Sequence, residues 1–136
     1  MFVTRATRHD KADIEAFLEA NWQASAMDEG QFFFARDGGV VGCVRFIEIE
    51  PQILIVEDMV VDESRRGQGI GRELLETVMN SKGGTLYLRC FEDLAPYYER
   101  FGFSRQEPPN LPPAATALWR SRGDLSGGET VYLRAR

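Results

Sequence analysis

Asp62-Glu63-Ser64-Arg65-Arg66-Gly67-Gln68-Gly69-Ile70-Gly71-Arg72 joins two segments of different pattern. Before it, Ile53 to Val61 is an apolar run. After it, Ile70, Leu74, Leu75, Val78 and Met79 recur at helical spacing, so the stretch reads as strand, loop, helix. Gly67, Gly69 and Gly71 alternate at the junction. Glycine removes the Cβ that would keep an anion off the main chain and tolerates positive φ, so successive N–H groups can turn toward one point. The helix behind the loop adds its free N-terminal donors and the positive end of its dipole. A phosphate-bearing ligand is the natural guest. The glycines do not establish one by themselves, because glycine punctuates loops everywhere. The spacing is not G-x-G-x-x-G and the loop does not follow the first strand, against a dinucleotide fingerprint; no Gly-Lys-Ser/Thr follows, against a Walker loop.

Upstream of the loop, Gln31-Phe32-Phe33-Phe34-Ala35-Arg36, the turn Asp37-Gly38-Gly39 and Val40 to Glu48 predict a hairpin, and Pro51-Gln52 turns the chain into Ile53 to Val61. Met1 to Ala6 is a first strand. Asp10 is placed to cap a helix lined by Ile14, Phe17 and Leu18 and reaching Asn21 or Trp22. Gln23 to Gly30 reads either as a helical turn or as a loop, in the place of a substrate lid.

Downstream, the helix from Ile70 to Ser81 ends at Gly83-Gly84, and Thr85 to Cys90 reads as a buried strand. Asp93 is a candidate cap, with Pro96 in the first turn of a helix that carries Tyr97, Tyr98 and Phe101 and stops at Gly102. Phe103 to Gln106, a bend through Pro108, Pro109, Pro112 and Pro113, a short helix over Ala114 to Arg120 and a last strand from Thr130 to Leu133 complete the chain. Strands that first pair antiparallel and then alternate with helices predict an α/β (α+β) fold, a mixed central sheet with helices on both faces.

With 136 residues, 43% hydrophobic and 27% charged, the sequence suits a single domain spanning 1–136 with its own core. The longest aliphatic runs are pieces such as Ile53-Leu54-Ile55-Val56, too short for a membrane span, and the charged start around Arg5, Arg8 and Lys11 has no apolar signal-peptide core; the expected address is cytoplasmic, with no membrane partner. Cys43 and Cys90 lack metal-ligand spacing, so no metal is expected, and they read as small apolar residues in a reducing compartment. A net charge of −5 argues against nucleic acid, which needs a basic face.

Arg66-Gly67-Gln68-Gly69-Ile70-Gly71, preceded by Val56-Glu57-Asp58-Met59-Val60-Val61, resembles the Gln/Arg-x-x-Gly-x-Gly/Ala signature of the GNAT superfamily of acyl-CoA N-acyltransferases. Leu86-Tyr87-Leu88-Arg89-Cys90 followed by Ala95-Pro96-Tyr97-Tyr98-Glu99-Arg100-Phe101-Gly102-Phe103 is similar to that family's fifth strand and tyrosine helix. The two matches span Ile53 to Phe103; the first fifty residues fit in topology alone. An asparagine that many members carry between the fifth strand and the tyrosine helix, where it contacts the cofactor, is absent from Phe91-Glu92-Asp93-Leu94, a departure from the family's pattern.

The resemblance implies acetyl-CoA as co-substrate. The main chain of Met59, Val60 and Val61 would meet the pantetheine arm in a wedge beside the next strand, and Arg66, Gly67, Gln68, Gly69, Ile70, Gly71 and Arg72 would cradle the phosphates. Arg65, Arg66 and Arg72 offer charge-assisted contacts, although Arg65 and Arg72 also read as a solvated face. The implied reaction is direct attack of an amine on the thioester. It needs a base for the amine, a dipole for the carbonyl oxygen and an acid for the departing thiolate. Tyr98 matches the family's tyrosine acid; on spacing alone it reads as a core aromatic, as Tyr97 does. Glu57 is the candidate base, direct or through water, because a carboxylate interrupting an apolar strand should face a cleft or a partner. Asp58 falls on the opposite face of a regular strand, a distinction that a bulge would blur. His9 reads as a surface residue. A covalent route through Cys90 lacks a histidine to activate the thiol.

The acceptor is read as a primary amine of a small molecule. Leu111-Pro112 is similar to a feature of amino-acid-acetylating members, and Arg89, Arg120 and Arg122 are candidates for a substrate carboxylate. Two alternatives stand beside it: a protein N-terminus as acceptor, and a non-catalytic acyl-CoA-binding regulatory module. A homodimer is an option that the sequence leaves open.

Overall fold

The computed structural model describes residues 2–23 and 27–136. Seven strands form a mixed sheet in the order β1-β2-β3-β4-β5-β7-β6. They are β1 (Phe2–Arg5), β2 (Gln31–Asp37), β3 (Gly39–Glu50), β4 (Ile53–Val61), β5 (Thr85–Phe91), β6 (Ser104–Gln106) and β7 (Thr130–Ala135), with helices α1 (Lys11–Ala20), α2 (Ile70–Ser81), α3 (Ala95–Glu99) and α4 (Pro113–Arg122). Two compact units share these elements: Met1–Ile47 with Val56–Gly83, and Glu48–Ile55 with Gly84–Arg136.

In the first unit, β1 pairs antiparallel with β2 and β2 with β3. Three phenylalanines in a row serve both faces of β2. Phe32 and Phe34 pack with Ile14, Phe17 and Leu18 of α1 and with Cys43, whereas Phe33 stacks on Phe46 at 6.0 Å between ring centroids. Adjacent strand residues point to opposite faces. Cys43 therefore looks toward α1 and Gly42 toward α2, where a Cβ built on Gly42 would lie 3.0 Å from Ile70 Cγ2 and 3.1 Å from Leu74 Cδ1. Helices thus cover both sides of β2 and β3, as expected, and the missing side chain sets how closely α2 lies on β3.

In the second unit, β4 runs parallel to β5 over Ile53 to Ile55, opposite Thr85 to Tyr87, and β5 and β6 both pair antiparallel with β7. Ile55, Tyr87, Leu111, Ala115 and Trp119 form one buried cluster, which places α4 on the Tyr87 face of β5. Cys90 has the other parity along that strand and so points away from the α4 face. Trp119 tilts against Tyr132 at 5.3 Å, and its buried indole N–H meets no acceptor among the described residues; the ring's burial, not its polar edge, holds α4.

Both expected helix caps differ in the structure. The Asp10 carboxylate turns back to accept from Thr7 N and Thr7 Oγ1 at 2.8 and 3.0 Å and makes no cap bond to α1; these bonds hold its pKa below the usual carboxylate value. Asp93 lies inside a 3-10 turn, Glu92–Leu94, and α3 starts after it with Pro96 in its first turn. Phe101, expected within that helix, sits past its end, its amide donating to Tyr98 O over 2.9 Å. Part of the ambiguous segment, Ala24 to Ala26, lies outside the described residues. No helix among those described is long and apolar enough to cross a membrane.

Gly42→Ala should lower stability by about 1–3 kcal/mol, since the added methyl must displace Ile70, Leu74 or the Val60 carbonyl, 3.3 Å away. A fall in the urea midpoint at constant slope is the expected measurement.

Candidate active site

The loop between β4 and α2 is shaped by its own main chain. Asp62 N donates to Val41 O of β3 at 2.8 Å, and Asp62 Oδ1 accepts from Ser64 N and Ser64 Oγ at 3.1 Å each, which starts a 3-10 turn over Glu63–Arg65. Gly67 and Gly69 then take φ of 82° and 81°, a left-handed region that side chains with a Cβ rarely adopt. Gly69 is the N-cap of α2 and offers no side chain to the first turn. A Cβ on Gly67 or Gly69 would meet no atom within 4 Å, so space is open over both residues. The helix start therefore presents uncapped donors and the positive dipole end.

The arginines around the loop divide. Arg65 Nη1 reaches Asp37 Oδ2 of the hairpin turn at 2.6 Å, and that contact holds the Asp37 carboxyl below its usual range. Arg72 Nε pairs with Glu76 one turn along α2 at 2.8 Å. Arg66 is exposed, its Nε 3.4 Å from Val61 O.

Before the loop, β4 leaves regular geometry. Asp58 has φ 53°, left-handed within a strand. In a regular strand Glu57 and Asp58 would face opposite ways; here both carboxylates reach the same nitrogen, Arg45 Nη2, at 2.9 and 2.8 Å. Arg45 is 1% exposed, its Nη1 donates to Glu29 O at 3.3 Å, and its guanidinium lies 5.3 Å from the Phe32 ring centre. Cys43 Sγ donates to Asp58 O at 3.4 Å. Burial, then the Asp58 charge, pushes the Cys43 thiol up to about 12. Glu57 thus has the partner its strand position demanded. Met59, Val60 and Val61 follow half-buried, Val60 packing toward α1.

Arg45 went unnoticed in the sequence, although the signal was the one that singled out Glu57: a lone charge in an apolar strand run, Val40 to Phe46.

In the second unit, Tyr98 is buried, with edge-to-face contacts to Tyr97 at 5.2 Å and Phe103 at 6.0 Å. Burial foremost, then Cys90 and Tyr97, pushes its hydroxyl far above the ordinary phenol value, so it stays protonated at neutral pH. Cys90 is also buried and its thiol is pushed up to about 11, which leaves little thiolate at neutral pH. Tyr97 is half-buried against Phe101 and under Arg100. Arg89 is half-buried on β5, while Arg120 and Arg122 occupy the last turn of α4, where cations suit the dipole. His9 is exposed. No group of His, Cys, Asp and Glu among the described residues could hold a metal ion.

A family model described as the acetyltransferase (GNAT) domain matches residues 28–105, more than half of the chain. The chain belongs to the GNAT acetyltransferase family. No curated protein matches it in sequence. Among solved structures, a GNAT-family acetyltransferase from Staphylococcus aureus Mu50 superimposes with a TM-score of 0.73 at 17% identity, over 98% of this chain and 97% of that one. N-acetylglutamate synthase from Neisseria gonorrhoeae, crystallised with coenzyme A and N-acetyl-glutamate, gives 0.77 at 18% identity, over 100% of this chain and 35% of the other. The ribosomal-protein-S18-alanine N-acetyltransferase of Escherichia coli gives 0.71 at 15% identity, over 98% and 92%. At these identities the likeness is one of fold.

The left-handed φ at Asp58 makes a stability prediction. Asp58→Gly and Asp58→Ala both lose the contact with Arg45, but only alanine must hold a Cβ in the left-handed region, so the glycine variant should be the more stable by about 1 kcal/mol. Equal thermal midpoints for the two variants would show that the bulge relaxes without cost.

Proposed function

We propose that this GNAT domain, taken as one domain over 1–136, moves the acetyl group of acetyl-CoA onto a primary amine of a small molecule by direct attack. The observation that carries the reading is the pair of left-handed glycines, Gly67 and Gly69, at the uncapped N-terminus of α2. The open space over both residues fits a pyrophosphate lying on the main chain.

On this reading the amides from Arg66 to Arg72 bind the phosphates, with Arg66 the exposed side chain nearest to hand. The main chain of Met59, Val60 and Val61 orients the pantetheine arm. These residues lie past the parallel register of β4, which ends at Ile55. Acetyl-CoA, when bound, supplies an activated thioester. Glu57 accepts a proton from the amine, directly or through a water, as the C–N bond forms. Tyr98 gives its proton to the sulfur as the C–S bond breaks; a phenol that stays neutral until a thiolate develops suits that step. The protonated Cys43 and Cys90 support direct transfer over an acyl-cysteine route.

For the acceptor, Arg89 is half-buried on β5 and could meet a substrate carboxylate, which makes an amino acid the first class to test. A protein N-terminus is the second class, and the Escherichia coli neighbour is named for acetylating an alanine of a ribosomal protein. A cytoplasmic address fits the two free cysteines.

Thiol release from acetyl-CoA against amino acids, small amines and peptide N-termini should find one acceptor class that drives turnover, with Tyr98→Phe slowing kcat by about 10²-fold or more. Tight coenzyme A binding with no release on any acceptor would favour a regulatory module instead. Gly69→Val, checked for folding by circular dichroism, should weaken coenzyme A binding about tenfold or more, equivalent to about 1.4 kcal/mol; unchanged affinity would remove the phosphate cradle from the loop.

A further inference from the structure

We infer that Arg45 is a positioning residue for the transfer, the pin that fixes both the Glu57 carboxylate and the bend of β4; the inference deepens the proposed acetyltransferase reading and rests on it. One nitrogen, Nη2, meets Glu57 Oε2 at 2.9 Å and Asp58 Oδ2 at 2.8 Å. Consecutive strand residues share a partner only when the backbone between them reverses, and Asp58 at φ 53° is that reversal. The other guanidinium nitrogen, Nη1, donates to Glu29 O at 3.3 Å, and the guanidinium carbon lies over the Phe32 ring, 5.3 Å from its centre. A residue 1% exposed therefore ties three pieces of chain together: the segment entering β2, the strand bearing the proposed base, and the bend that aims Met59 to Val61.

The chemistry requires an arginine. A planar fork with donors in fixed directions can hold two carboxylates and a carbonyl at once and lie flat on a ring, whereas an ammonium is a point charge on a flexible stem. Arg45 touches no reacting atom in this assignment; it acts by keeping Glu57 in one place, and a base displaced by a fraction of an ångström loses rate rather than affinity. The phosphate loop is held by other bonds, from Asp62 to Val41 and Ser64, so loss of the pin should leave the phosphate contacts in place and loosen only the pantetheine contacts of Met59 to Val61, a smaller effect on coenzyme A affinity than on rate.

Arg45→Lys separates these consequences. In the folded variant, kcat with the best acceptor should fall about tenfold or more, while the Kd for coenzyme A by calorimetry stays within about threefold. Hydrogen exchange at the amides of Asp58, Met59 and Val60 should speed up about tenfold. Phe32→Leu keeps every charge and an apolar side chain against α1 while removing the ring beside the guanidinium; once its fold is checked by circular dichroism it should show the same split at smaller size, and it serves if Arg45→Lys does not fold. Unchanged kcat and exchange in a folded variant would overturn the pin, and an equal loss of kcat and coenzyme A affinity would reduce Arg45 to general support of the core. Wild-type protein that binds coenzyme A but releases no thiol on any acceptor would overturn the transferase reading, and the exchange measurement would still decide whether Arg45 holds the bend.

Discussion

A guanidinium buried under β3 sets the geometry around it. Arg45 is 1% exposed, and a cation so far from water is tolerated only with anionic partners and directed hydrogen bonds. Glu57 and Asp58 supply the charge, at the cost of a left-handed residue in the middle of β4. Such strain is of the order of 1–3 kcal/mol, whereas leaving a buried charge without its partner costs about 3–5 kcal/mol. The ion pair wins, and the strand bends. Cys43 follows the same logic on a smaller scale, donating its thiol to the Asp58 carbonyl at the bend.

The glycine loop is governed by a different constraint. Its surroundings contain exposed ion pairs, Arg65 with Asp37 and Arg72 with Glu76, but exposed pairs are screened and contribute little. What shapes the loop is main-chain geometry: the bond from Asp62 to Val41, the Ser64 turn, and two residues in a conformation that favours glycine. Gly42 adds the close approach of α2 to β3, which positions the helix whose N-terminus carries the open space over Gly67 and Gly69. A site made from backbone and packing tolerates changes in nearby surface charge and fails when a Cβ is added in the wrong place.

Much of this was legible before folding was considered. The bounds of β4 and α2 coincide with the apolar run Ile53 to Val61 and the helical stripe Ile70 to Ser81, because each segment keeps one hydrophobic pattern from end to end. Caps were less legible. Asp10 and Asp93 have the right chemistry for helix starts, but Asp10 found Thr7 closer and Asp93 was absorbed by a 3-10 turn; a short polar side chain has several local partners of similar worth. The chemical residues divided too. Glu57 drew attention as a charge in an apolar strand, while Arg45, with the same signature one strand earlier, did not, since nothing local to either residue reveals that the two meet.

By itself the sequence determined the alternation of strands and helices, the family and the placement of the glycine loop, because periodicity and the backbone freedom of glycine act between residues close along the chain. Only the tertiary structure decided what Glu57 and Asp58 do. Their common partner comes from another strand, and the bend that lets both reach it is a compromise between a buried charge and a strained backbone. Electrostatics in a core depends on neighbours brought together by folding, and those neighbours have no local signature in the chain.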